Sequence, residues 1–192
     1  WRSFNVAAGE ETHFDQPSAS SVTLNRVVTG GASWIDGLLT APGKVFLVNP
    51  EGMTFGPNAQ VAVHSLVATT ADLTNEDFLA GRYQLSRASP AGSAVVNLGR
   101  IEAAPAGSVA LVAPEVRNEG VIVASLGTVE LAGADRFVLD FAGDGLLSFD
   151  VGSAGLDDVS SEGRDRVVQQ GRIAADGGIV VLSTRDADAL VD

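Results

Sequence analysis

The heptapeptide Asn97-Leu98-Gly99-Arg100-Ile101-Glu102-Ala103 decides the fold, because its pattern returns twice further along the chain. The second copy spans residues 118–124, and the third spans residues 169–175. Each copy reads Asn/Gln-x-Gly-x-Ile-x-Ala and is followed, after a short turn, by Gly-x-Val-x-Leu. The first two copies are 21 residues apart, which is the spacing of a repeat protein.

Apolar residues alternate with period two inside each copy, which is the periodicity of strands and not of helices. We interpret one copy as two short strands and two turns, with glycine at corners where we expect a positive φ. One copy is too small to bury its own apolar face, whereas stacked copies bury it with strands about 4.8 Å apart. The sequence therefore predicts an all-β fold, a right-handed parallel β-helix. The residues expected to stack from coil to coil are Asn97, Gly99, Ile101, Asn118, Gly120, Ile122, Gly171 and Ile173.

An antiparallel sandwich of hairpins is the alternative fold, because it also has strands at regular spacing. A sandwich has no need for the same residue type at the same place in every unit. The repeat therefore favours the β-helix.

One segment interrupts the repeat and predicts a projecting antiparallel hairpin. Residues 136–141 alternate, the turn Gly143-Asp144-Gly145 follows, and residues 146–151 alternate again. We expect a single domain over residues 1–192, with this hairpin and a polar loop leaving the helix at about 134–165. Residues 74–81 have a capping Thr, early acids and a closing Gly, which predicts a short helix.

Composition excludes several classes of function. The formal net charge is -12, which disfavours nucleic acid and anionic membranes as partners because both attract Lys and Arg. The chain has no cysteine, so disulfides, zinc–thiolate sites and cysteine nucleophiles are absent. No apolar run approaches the ~18 residues of a membrane span. We therefore expect a protein that does not insert into membranes. The strong net charge favours weak self-association, so we also expect a monomer.

The densest pattern lies in residues 45–56, where an apolar strand ends at Asn49-Pro50-Glu51-Gly52. Asn followed by Pro opens a β-turn, and Gly at the fourth position closes it. In a stacked fold, an inward-pointing turn Asn can also bond to neighbouring coils.

This stretch resembles the secretion domain of two-partner-secreted exoproteins of the filamentous haemagglutinin and high-molecular-weight adhesin type. In that family a strand VFLINPNG precedes an apolar residue and a later ASTLDI segment. The counterparts here are residues 45–53, Phe55-Gly56 and residues 68–73, with Glu51 and Met53 in place of the family's Asn and Ile. Trp1 to Phe4 and residues 24–27 are similar to its W..F and FNRV motifs, so the resemblance spans nearly the whole chain.

The resemblance implies a non-catalytic secretion signal that also nucleates folding of a large exported adhesin-type protein. Its implied partner is an outer-membrane β-barrel transporter, which recognises the domain through periplasmic POTRA domains. The implied location is the cell surface or medium, reached through the periplasm, and no cofactor is implied. Any host-cell or glycan receptor would belong to the full-length protein. The residues implied in transporter recognition, or in a structural turn, are Asn49, Pro50, Glu51, Gly52, Met53, Phe55 and Gly56.

A carbohydrate-binding or polysaccharide-degrading β-helix is the alternative function. Such an enzyme needs carboxylates clustered in one groove. The acidic residues that could supply them do not recur at a fixed place in the repeat; they are Asp140, Asp150, Asp157, Asp158 and Glu162. Surface solvation explains these acids better, and no Ser-His-Asp spacing is evident. We expect neither an enzyme nor a metal site, since Asp144 is not followed by a calcium-ligand series. The two histidines, His13 and His64, fit a surface or packing role better than a catalytic one. The aromatic residues Trp1, Trp34 and Tyr83 are too scattered to form a sugar-binding platform.

Overall fold

The computed structural model describes residues 1–85, 90, 92–133, 137–139 and 167–184. The strands in this part of the chain are β1 (Glu11–His13), β2 (Val22–Arg26), β3 (Ser33–Ile35), β4 (Leu38–Val48), β5 (Met53–Phe55), β6 (Gln60–Thr69), β7 (Tyr83–Leu85), β8 (Ala94–Asn97), β9 (Arg100–Ala103), β10 (Ser108–Ala113), β11 (Glu115–Asn118), β12 (Val121–Val123), β13 (Thr128–Gly133), β14 (Phe137–Leu139), β15 (Val167–Gln169), β16 (Arg172–Ala174) and β17 (Ile179–Thr184). The helix α1 (Asn75–Leu79) lies between β6 and β7.

Three parallel walls run along the axis of the fold. The first wall has the order β3-β5-β8-β11-β15. The long strands β4 and β6 serve both other walls: their first halves continue into β9, β12 and β16, and their second halves into β10, β13 and β17. A chain that visits three walls in turn and returns one rung further along is a parallel β-helix. The predicted all-β architecture is therefore confirmed.

Each coil contains three strands, whereas the repeat pattern led us to expect two. The missed strands are β8, β11 and β15, which precede each heptapeptide and contribute only their last residue to it. Their inward side chains, such as Val95 and Val116, are buried and form the first wall. The expectation was wrong because the shared pattern begins at the last residue of these strands. The residues before it differ more between the three copies.

Equivalent side chains stack inside the helix. Ile122 pairs in register with Ile101 on one side and Ile173 on the other. Ile101 and Ile122 are fully buried, and burial of a side chain of this size stabilises a fold by about 1.5–3 kcal/mol. The sequence period therefore becomes an apolar column along the axis.

A ladder of amides accompanies that apolar column. The Asn97 Nδ2 donates to the Asn118 Oδ1 at 2.8 Å, and the Asn118 Nδ2 donates to the Gln169 Oε1 at 2.8 Å. Asn97 and Asn118 are fully buried, so each amide needs these bonds to offset its lost hydration. Gln169 ends the ladder by donating to the Gly171 carbonyl oxygen at 2.9 Å. The Asn/Gln position of the repeat thus fixes one coil on the next.

The repeat glycines serve close approach and not positive φ, so that sequence expectation was wrong. Gly99, Gly120 and Gly171 are not among the glycines with positive φ. A Cβ built on Gly120 would overlap the carbonyl oxygen of Gly99, and one on Gly171 would overlap that of Gly120. The backbones of successive coils therefore touch at this corner, where a side chain has no room.

A second apolar cluster covers the outer face of the wall that the second halves of β4 and β6 form with β10, β13 and β17. Phe46 on β4 packs against Phe78 and Tyr83, with ring centroids 6.0 and 4.9 Å away, and Leu85 belongs to the same cluster. The predicted short helix is confirmed: the Oγ1 of Thr74 caps α1 by accepting from the backbone N–H of Asp77 at 3.0 Å. We call this cluster the aromatic cover. It packs from outside on the first coils, which are the coils that contain β2 to β6.

The described part of the predicted hairpin has a distant partner. β14 pairs antiparallel with β7, with Phe137 opposite Leu85. Sequence reasoning missed this pairing because the strands lie more than 50 residues apart. The predicted second strand, residues 146–151, and the polar loop that follows it lie outside the described residues.

The candidate recognition site

The turn after β4 has the geometry that its sequence predicts. The Gly52 backbone N–H donates to the Asn49 carbonyl oxygen at 2.9 Å, and Gly52 has a φ of 98°. The Asn49 Oδ1 accepts from the Glu51 N–H at 3.0 Å, which fixes the turn from within. The Asn49 Nδ2 donates to the Ser33 Oγ at 2.9 Å and to the Gly31 carbonyl oxygen at 3.2 Å. Asn49 therefore both shapes its own turn and holds the preceding coil.

The seven residues implied in recognition divide into a buried set and an accessible set. Glu51 is exposed and Pro50 is half-buried, so a partner can reach both side chains. Phe55 aligns with Asn97 in the neighbouring strand and fills the position where the amide ladder begins. The buried set consists of Asn49, Gly52, Met53, Phe55 and Gly56.

Segments that are distant in sequence meet at one cavity beside this turn. Three of the family-like motifs contribute: the W..F motif, the FNRV-like motif and the Asn-Pro turn. Their convergence places the candidate site at the first coils, on the inner side of the helix. The lining residues are Phe4, Asn25, Val27, Ser33, Ile35, Leu47, Val48, Asn49 and Met53.

Asn25 is the unusual member of this lining. Its side chain is 2 % exposed, and neither its Oδ1 nor its Nδ2 has a hydrogen-bond partner among the described residues. Its register partner on β4 is Leu47, so the amide stands in an otherwise apolar row. Its amide is therefore the polar group that Asn25 contributes to the lining of this cavity.

Arg26 ties the first coil to the outer cover. Its Nε donates to the Asp72 Oδ1 at 2.7 Å, its Nη1 to the Asn75 Oδ1 at 2.6 Å, and its Nη2 to the Leu73 carbonyl oxygen at 2.5 Å. Three hydrogen bonds from one planar guanidinium fix both the orientation of the Arg26 side chain and its distance from the segment that accepts them. Two family-like motifs, residues 24–27 and 68–73, are thus joined directly. We call these three hydrogen bonds the Arg26 clasp. The sequence analysis missed it, because the only signal was that Arg26 and Asp72 each lie in a family-like motif.

Glu130 on β13 is a further residue that sequence reasoning missed. The carboxyl group is fully buried, and neither oxygen has a hydrogen-bond partner within the described chain. Its neighbours in register are Ala110 and Val181. Burial away from water raises the pKa of Glu130 from 4.5 to about 8, so the folded protein holds a neutral carboxyl at neutral pH.

Of the residues considered for catalysis or metal binding, the two histidines lie in the described part of the chain. His13 is exposed and its Nδ1 lies 2.7 Å from the Thr40 Oγ1, whereas His64 is half-buried on β6. Among the residues that the structure describes, no group of three or more His, Asp or Glu side chains could hold a metal ion. No helix in this part of the chain could span a membrane. The other candidates, Asp140, Asp144, Asp150, Asp157, Asp158 and Glu162, lie outside the described residues.

Two curated proteins that share one name are similar to part of this chain. Two curated proteins named heme/hemopexin-binding protein, both from Haemophilus influenzae and one of them from strain Rd, are 42% identical over 87 residues and 49% identical over 73 residues. These matches cover 45% and 38% of this chain, but only 9% and 8% of the relatives. This chain therefore matches only a small part of each relative.

A solved structure agrees with the fold over nearly the whole chain. The crystal structure of the HMW1 secretion domain from Haemophilus influenzae superposes with a TM-score of 0.75 at 26% identity. The match covers 96% of this chain and 49% of that one. The family model of the TPS secretion domain matches residues 1–192. The chain therefore belongs to the TPS secretion domain family, the secretion domains of two-partner-secreted exoproteins.

Proposed function

We propose that this domain is the export signal and folding nucleus of its exoprotein. The POTRA domains of an outer-membrane β-barrel transporter bind it in the periplasm, and the β-helix then folds outward from its first coils at the cell surface. The observation that carries this proposal is the convergence of three separated motifs around one cavity in the first coils. Recognition and nucleation then use the same end of the helix.

Nucleation is supported by how the first coils are held. β4 and β6 pair over nine register positions with one shift, which gives the first coils long strands on two walls. The Arg26 clasp and the aromatic cover then close these coils from outside. In a stacked fold each finished coil offers a template to the next, so folding can propagate from such a start.

We propose that the domain acts by binding and folding and not by catalysis. The motif residues are engaged in shaping coils: Asn49 bonds across coils, and Gly56 leaves room for its neighbours. A cofactor has no role in such a mechanism. We propose one domain over residues 1–192, and we assign any host-cell, glycan or other ligand binding to the rest of the full-length protein.

Asn49 and Glu51 are expected to affect secretion by different routes. Asn49→Ala should lower the free energy of unfolding by about 1–3 kcal/mol and lower secretion with it, because the Ser33 and Gly31 atoms lose their partner. Glu51→Lys should leave the unfolding midpoint unchanged and lower secretion alone, because its side chain is exposed. Urea unfolding of each purified variant, beside its transporter-dependent secretion, separates the two routes.

Two results would contradict this division of roles. Loss of secretion by Asn49→Ala at unchanged stability would make Asn49 itself a contact. Normal secretion of Glu51→Lys would remove the accessible part of the turn from the recognition surface.

A further inference from the structure

Trp34 is a large apolar side chain held on the surface of the first wall. It is 47% exposed, although the adjacent Ile35 on the same strand is fully buried. Its backbone is fixed on both sides: its N–H donates to the Asn5 Oδ1 at 2.7 Å, and its carbonyl oxygen accepts from the Val6 N–H at 3.0 Å. Because the backbone is already held, little backbone freedom is lost when a partner covers the indole ring.

The absence of a side chain on Gly56 makes room for this arrangement. A Cβ on Gly56 would lie 3.0 Å from the Trp34 Cζ2 and would overlap the carboxylate of Asp36. The indole ring and the carboxylate therefore lie side by side above the same glycine. Asp36 is held in place because its Oδ1 and Oδ2 accept from the N–H and Nδ2 of Asn58 at 2.9 and 3.1 Å.

An aromatic face beside a fixed carboxylate suits one kind of partner group. A guanidinium or ammonium group is attracted to the face of an indole ring, and it can pair with the neighbouring carboxylate at the same time. The strand is also next to the recognition turn, since the Ser33 N–H donates to the Gly52 carbonyl oxygen at 3.0 Å. The net charge of -12 would attract a basic partner surface to the chain as a whole.

We propose that Trp34 and Asp36 form a docking point for an Arg or Lys side chain on the periplasmic domains of the transporter. This inference rests on the proposed function, and it extends the recognition surface from Glu51 along the first wall. Tryptophan at the centre of such a contact carries a large share of the binding energy.

The test is the affinity of this chain for the purified periplasmic domains of its transporter, measured by calorimetry at low and high salt. Trp34→Ala should bind roughly 30-fold more weakly, with an unchanged unfolding midpoint, and Trp34→Phe should lose less. Leu79→Ala is the matched control, because Leu79 is 84% exposed on α1, and it should bind as the parent does. Salt should weaken the parent more than Asp36→Asn.

Equal affinity of Trp34→Ala and the parent would overturn the docking point while leaving the export function in place. A parent chain that does not bind the periplasmic domains at all would overturn both. If Trp34→Ala lowers the unfolding midpoint, Trp34→Phe decides, because it keeps an aromatic ring on the same backbone. Weaker binding by a stable Trp34→Phe would support the docking point, and parental binding would contradict it.

Discussion

Gly120→Ala is expected to destabilise the β-helix by about 3 kcal/mol, a large fraction of the stability of a domain of this size. The new Cβ would overlap the carbonyl oxygen of Gly99, and also lie 2.8 Å from its backbone nitrogen. Backbone atoms of a neighbouring coil cannot turn aside as a flexible side chain can, so the two coils must separate. Separation would break the amide ladder and the isoleucine column, which pass through the same pair of coils.

Gly31→Ala is the matched control for this variant. A Cβ on Gly31 meets no atom within 4 Å, and Gly31 is not among the glycines with positive φ. Its alanine variant should keep the parent's stability, or exceed it slightly through a less flexible unfolded chain. Urea unfolding followed by circular dichroism measures both. Equal stability of the Gly120 and Gly31 variants would show that the coils do not touch at this corner.

Glu130→Gln is expected to remove a pH dependence of stability. Burial raises the pKa of Glu130 to about 8 in the folded protein, against 4.5 for the ordinary carboxyl group. A group whose pKa is raised by folding stabilises most below its unfolded pKa, and the contribution is lost as the pH rises through the folded pKa. The parent should therefore lose on the order of 2 kcal/mol of unfolding free energy between pH 5 and pH 7 through this residue.

The measurement is the unfolding free energy of parent and variant at pH 5, 6, 7 and 8. The difference between them should change steeply over this range, because Gln does not titrate. Glu102→Gln is the control, because it makes the same exchange at a side chain that is 48% exposed. Parallel profiles for Glu130→Gln and the parent would mean that the carboxyl group is ionised and solvated in the folded state.

The repeat was sufficient to predict the β-helix, but not its cross-section. Ile101 and Ile122 could be aligned by eye because identical residues recur at one spacing, and they pair in the structure. The third strand of each coil could not be seen, since only its final Asn or Gln is common to the copies. The role of Gly120 was also misread, because a sequence shows that a side chain is absent without showing which atom takes its place.

The candidate site was predictable only where a short segment determines its own shape. The Asn49 turn follows from Asn, Pro and Gly within four residues. The Arg26–Asp72 bond joins residues 46 positions apart, and no local rule pairs them. The burial of Glu130 had no local signal in the sequence, because it depends on what covers the outer face of β13.

The most direct test of the export role is secretion of this chain, with a signal peptide added, from cells that have or lack the cognate outer-membrane transporter. We predict that the chain appears folded in the medium only when the transporter is present. Equal amounts in the medium of both strains, or retention in the periplasm of both, would contradict the assignment of this β-helix as an export signal.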